Sequence, residues 1–161
     1  MRATPLIAAL ALVLLSACSK DTPEPPPADD AGVTLYFSAA AGLNPGADGT
    51  PAPVRVRLYE LKNAAAFARA DYFALADRAQ ATLGADLIDQ DEVLLQPGAQ
   101  LRLERPLDPA TRQLGLVVGY REVDQAQWRS VLSVPPRDYQ ISLDVRAVRS
   151  AVATPQPVPA H

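Results

Sequence analysis

The chain has 161 residues with 15 basic and 18 acidic side chains, a formal charge of −3. That balance argues against a nucleic-acid partner, which requires a basic face. A single cysteine and a single histidine offer no transition-metal cluster, no intramolecular disulfide and no material for histidine-dependent catalysis.

Arg2 is the only charge before Lys20, and Pro5 to Leu15 is almost wholly apolar. A basic start, a short apolar run and small residues after it describe a secretory signal peptide over residues 1–17. The run is shorter than the roughly 20 apolar residues that a spanning helix needs. Leu15-Ser16-Ala17-Cys18 resembles the bacterial lipobox, which makes Cys18 the expected lipidation site. Stable anchoring takes two or more acyl chains, each buried methylene contributing about 0.8 kcal/mol. Ser19, where an aspartate would signal inner-membrane retention under the enterobacterial sorting rule, points to the outer membrane. Cleavage before Cys18 removes Arg2 from the 15 basic residues, leaving 14 against 18 acidic ones and a charge of −4.

Residues 18–31 read as the lipidated N-terminus and a spacer. Asp21 to Asp30 (DTPEPPPADD) holds four prolines and four acids, a composition that extends rather than folds. At roughly 3.1 Å per residue such a polyproline arm reaches about 35–40 Å. A single domain is expected over residues 32–150, long enough for a real core. The proline-rich residues 151–161 are expected to be a disordered tail.

Val33 to Ser38 is a strand by its β-branched and aromatic content. Ala41 to Pro53 (AGLNPGADGTPAP) is turn chemistry throughout. Val54 to Leu61 alternates with period two, placing Arg55, Arg57 and Tyr59 on a face that is wet or contacts something else. Asn63 suits a helix N-cap for Ala64 to Phe67, and Asp71 suits one for Tyr72 to Arg78, with another turn to Leu83 before Gly84. Glu92 to Leu95, Gln100 to Leu107, Leu114 to Tyr120, Trp128 to Val134 and Tyr139 to Val148 read as strands, with Leu101, Leu103 and Arg105 on one face of the second. Short strands separated by turn signals predict a mainly β fold, a β-sandwich with a small helical insertion after the second strand.

No catalytic set stands out. Asp86, Asp89, Asp91 and Glu92 lack the glycine-centred spacing of an EF-hand loop and read as a solvated loop. Neither a metal nor a cofactor is expected. Tyr120 and Trp128 read as core residues. Arg121, Asp124 and Arg129 are candidates for an ionic cluster.

Several segments are similar to one family. LNPGADGTPAPVRVRLYELK (Leu43–Lys62), AFARADYFAL (Ala66–Leu75), LGADL (Leu83–Leu87), LQPG (Leu95–Gly98) and LDPATRQLGLVVGYREVDQAQWR (Leu107–Arg129), with the lipobox, resemble the type VI secretion lipoproteins of the TssJ/VasD type. The resemblance implies a transthyretin-like β-sandwich and a non-catalytic subunit on the periplasmic face of the outer membrane. Its implied partner is the periplasmic C-terminal domain of a TssM/IcmF-type inner-membrane protein. The loop between the first two strands would hold that partner, through Leu43, Asn44, Pro45, Asp48 and Gly49. Leu43 has no evident core position in the sequence. Prolines pre-order such a loop and reduce the entropy lost on docking. The alternative is a lipid-anchored periplasmic module that binds a glycan or lipid. A periplasmic hydrolase is a weaker third reading.

Overall fold

The structure is a computed structural model describing residues 32–154. The signal peptide, Cys18, the spacer, and residues 155–161 with His161 lie outside the described residues.

Two four-stranded sheets face each other. One is ordered β4-β1-β7-β8, from β1 (Gly32–Ala39), β4 (Gln100–Pro106), β7 (Asp138–Leu143) and β8 (Val148–Val152). The other is β3-β2-β5-β6, from β2 (Val54–Leu61), β3 (Leu87–Leu95), β5 (Gln113–Val118) and β6 (Arg129–Ser133). Every pairing is antiparallel except β1 with β7. Period-two alternation sends Val33, Leu35 and Phe37 of β1, and Val54, Val56 and Leu58 of β2, into one core between the sheets. The expected sandwich, with its helices after the second strand, is what forms.

The register defines two poles. β1 starts at Gly32 opposite Pro106 and ends at Ala39 opposite Leu143. Its eight residues cover about 26 Å at roughly 3.3 Å each. The first described residue and the end of β8 share one pole, because Val152 pairs with Tyr139, which pairs with Leu35. The β1–β2 loop lies at the other.

The helices build a second core on the outside of the β2–β5 pair. They are α1 (Ala65–Arg69) and α2 (Tyr72–Leu83). Asp71 caps α2 as expected, accepting from the Ala74 N–H at 2.8 Å. Asn63 lies one residue before the cap position of α1, and its Oδ1 accepts from the Ala65 N–H at 2.7 Å. Phe67, Leu75 and Leu83 bury against Tyr59, Leu61 and Val117. Gly115 makes room for this packing: a Cβ there would stand 2.6 Å from the Phe67 ring. Tyr59 is therefore not on a wet face. It is 1% exposed, its hydroxyl donates to the Leu75 carbonyl at 2.9 Å, and burial pushes its ionisation up to about 12.

Two further expectations are corrected. Asp89, Asp91 and Glu92 do not sit in a loop but on β3, an edge strand whose middle is polar, a usual defence against edge-to-edge pairing. Asp89 and Asp91 are paired to Arg105 at 2.6 and 2.7 Å. The run from Tyr139 to Val148 is not one strand. It divides at a tight turn, closed by the Asp144 N–H on the Ala147 carbonyl at 2.8 Å. β8 then continues through Val152, so Ala151 and Val152 belong to the sandwich rather than to the tail.

Candidate functional site

The β1–β2 loop is folded back on the end of the sandwich rather than extended from it. The Leu43 N–H donates to the Ala40 carbonyl at 3.1 Å, and the Ala52 N–H donates to the Leu43 carbonyl at 3.0 Å. This turn aims Leu43 inward, where it is 0% exposed and joins the main core. Leu43 thus has a core position after all, as the plug that closes this pole. The sequence hides this because the residue lies in a run of turn formers, outside any alternating pattern.

Asn44 is also buried. Its side-chain amide donates to the Pro53 carbonyl at 2.9 Å, and its Oδ1 accepts from the Arg121 N–H at 2.8 Å. Pro45 and Gly46 are half-buried, whereas Ala47, Asp48, Gly49 and Thr50 are exposed. Asp48 ties the tip together, accepting from the Thr50 N–H at 3.0 Å and the Thr50 hydroxyl at 2.8 Å. Those bonds, the backbone one foremost, hold its carboxyl below the ordinary carboxylate range. Gly49 has a φ of 78°, which glycine adopts without steric cost. The five residues named from the sequence therefore fall into two layers. Leu43 and Asn44 lie beneath the surface, while Pro45, Asp48 and Gly49 reach it.

Two other loops share this pole, and sequence reasoning did not connect them to it. The β5–β6 loop brings Arg121 beside Gly46, where a Cβ would stand 2.7 Å from the Arg121 guanidinium. The β7–β8 turn accepts from the Asn44 N–H at the Val145 carbonyl, 3.0 Å away, and leaves the Val145 side chain 40% exposed. These two loops are joined by the Arg146–Glu122 pair at 2.6 Å and by the Tyr120 hydroxyl on the Asp144 carbonyl at 3.1 Å. Gln127 reinforces them, its N–H donating to the Arg146 carbonyl at 2.9 Å. An open hollow beside them is lined by Gln125, Gln127, Asp144, Val145 and Arg146. The three loops form one continuous, mixed-charge surface with a small apolar spot.

The expected cluster of Arg121, Asp124 and Arg129 does not assemble. Arg129 instead caps α1, donating to the Phe67 and Ala70 carbonyls at 2.9 and 2.7 Å, with its guanidinium over the Trp128 ring. Trp128 is partly buried between the two cores, and Tyr120 is buried. Among the described residues, no group of three metal-ligating side chains occurs. No described helix is long and apolar enough to cross a membrane.

Comparison with known proteins gives a consistent picture. Residues 31–149 match the family described as type VI secretion lipoprotein, VasD, EvfM, TssJ. The T6SS lipoprotein TssJ1 from Pseudomonas aeruginosa is 53% identical with a TM-score of 0.73, over 78% of this chain and 98% of that one. A chain in a structure described as a type VI membrane complex is 32% identical with a TM-score of 0.69, over 73% and 95%. A chain in a structure described as the T6SS protein TssM C-terminal domain from EAEC is 31% identical with a TM-score of 0.66, over 76% and 98%. No curated protein sequence matches.

Proposed function

Because this chain belongs to the type VI secretion lipoprotein family, TssJ/VasD, we propose that it tethers the type VI membrane complex to the outer membrane. It is a membrane-associated, non-enzymatic component of that system. In the proposed role, acyl chains on Cys18 hold it to the periplasmic face of the outer membrane. Its β1–β2 loop docks the periplasmic C-terminal domain of the TssM/IcmF-type inner-membrane protein.

The two-pole register is the observation that carries this reading. The chain enters the sandwich at Gly32, and the loop lies at the far end of β1. A spacer of the length expected from the sequence, about 35–40 Å, together with the length of the strand, would set the docking loop well away from the lipid surface, toward the inner membrane. The presence of a chain 31% identical to this one in a structure described by a TssM C-terminal domain supports the choice of partner. Among the described residues, neither of two hollows is an enclosed pocket of the kind the small-ligand alternative needs. The hollow near the loop is open, and so is a second one, lined by Arg57, Gln90, Asp91 and Glu92.

Ala47 offers a clean test, since it is exposed at the loop tip and lies between residues that carry the loop's internal bonds. Ala47→Arg should weaken binding of the cognate TssM C-terminal domain by about tenfold or more, roughly 1.4 kcal/mol, with the unfolding midpoint unchanged. Calorimetric titration of both proteins measures it. An affinity equal to wild type would remove the loop from the interface.

A further inference from the structure

We propose that Asn44 is a positioning residue that holds three loops as one prepared surface without itself touching the partner, an inference that rests on the docking role proposed above. Among the described residues, Asn44 is the one non-glycine with a positive φ, 49°. Asparagine tolerates this left-handed region better than most residues. It is only 4% exposed, so its side chain has almost no surface to offer a partner.

Its polar groups are used up inside the protein. The Nδ2 donates to the Pro53 carbonyl and so closes the base of the β1–β2 loop. The Oδ1 accepts from the Arg121 N–H, 77 residues away, and fixes the β5–β6 loop. The backbone N–H donates to the Val145 carbonyl and fixes the β7–β8 turn. A primary amide carries both a donor and an acceptor on one short stem. Aspartate lacks the donor, and alanine lacks both groups and fits the positive φ poorly. Glycine fits the φ but makes neither side-chain bond.

The consequence is kinetic. A surface of three loops binds in proportion to the fraction of time that all three are in place. Loss of a positioning residue lowers that fraction, which slows association and leaves dissociation almost untouched. Loss of a contact residue acts mainly on dissociation.

The test compares Asn44→Gly with Ala47→Arg in the full chain purified in detergent. The probe is the cognate TssM C-terminal domain, and association and dissociation rates are measured well below the unfolding temperature. Asn44→Gly is expected to slow association about tenfold with dissociation changed by less than about twofold. Amide exchange at Arg121, which loses its acceptor, should quicken. Ala47→Arg is expected to speed dissociation. Asn44→Asp keeps the acceptor for Arg121 and should fall between wild type and Asn44→Gly, which keeps the test available should the glycine variant not fold. Wild-type rates for the Asn44 variants, with Ala47→Arg impaired, overturn this inference and leave the docking loop standing. Faster dissociation of the Asn44 variants overturns it too, by making Asn44 a contact. Wild-type rates for every variant overturn the docking role itself.

Discussion

Arg105→Ala is expected to destabilise the domain by about 3–5 kcal/mol, the range for removing one partner of a buried ion pair. Arg105 reaches inward from β4, and its Nε meets Glu60 Oε1 on β2 at 3.0 Å. Its two Nη groups meet Asp91 and Asp89 on β3 at 2.7 and 2.6 Å. One guanidinium thus staples the two sheets along the edge where β3 and β4 face each other. Glu60 is 3% exposed, so without Arg105 it is a buried carboxylate retaining only the Asp108 N–H and the Thr111 hydroxyl. Asp89 and Asp91 are exposed and water would solvate them, so the cost falls chiefly on Glu60. Pairing Arg105→Ala with Glu60→Gln should recover part of the loss, and a double-mutant cycle by urea denaturation measures the coupling. A loss below about 1 kcal/mol, in the range of surface pairs, would show that this staple is not a structural one.

Leu43→Ala is expected to cost about 2–5 kcal/mol, as for other fully buried leucines truncated to alanine. The denaturant midpoint should fall with the slope unchanged. The effect should also be local. Leu43 roots the loop through its bonds to Ala40 and Ala52, so amides from Asn44 to Thr50 should exchange faster than those of β2 or β5. Leu43→Met, which nearly conserves volume, should cost less than about 1.5 kcal/mol. A Leu43→Ala variant of wild-type stability would mean that the residue is not a core plug.

How far the sequence speaks for this fold depends on which physical signal each segment carries. Alternation in β1 and β2 marks their buried faces correctly, because one side of each strand meets the core. It does not reveal what covers the other side, so the sequence leaves Tyr59, under α1 and α2, as either wet or in contact with something else. Asp71 announces α2 because a capping side chain acts within three residues of itself. The turn between β7 and β8 is silent, since Asp144 to Ala147 contains neither glycine nor proline and interrupts an otherwise regular alternation. The acidic stretch of β3 reads as a loop for the reason that makes it a good edge strand. At the loop pole, turn chemistry marks the β1–β2 loop, and the family resemblance supplies a role for it. The inward turn of Leu43 and the link from Asn44 to Arg121 join residues far apart in the chain, and no local pattern encodes such a contact.

The loop geometry also refines how docking would work. Pro45, Asp48 and Gly49 present the surface, whereas Leu43 and Asn44 hold it in place from beneath. An interface built this way loses little entropy on binding, since the ordering is done during folding.

The most direct measurement follows the partner rather than the lipoprotein. In cells carrying the wild-type chain, the TssM-type protein should co-fractionate with outer membranes. With Cys18→Ser, the soluble lipoprotein should still bind the TssM C-terminal domain at wild-type affinity, while the TssM-type protein no longer appears in the outer-membrane fraction. Undiminished outer-membrane recovery of that protein with Cys18→Ser would contradict a lipid-anchored tether.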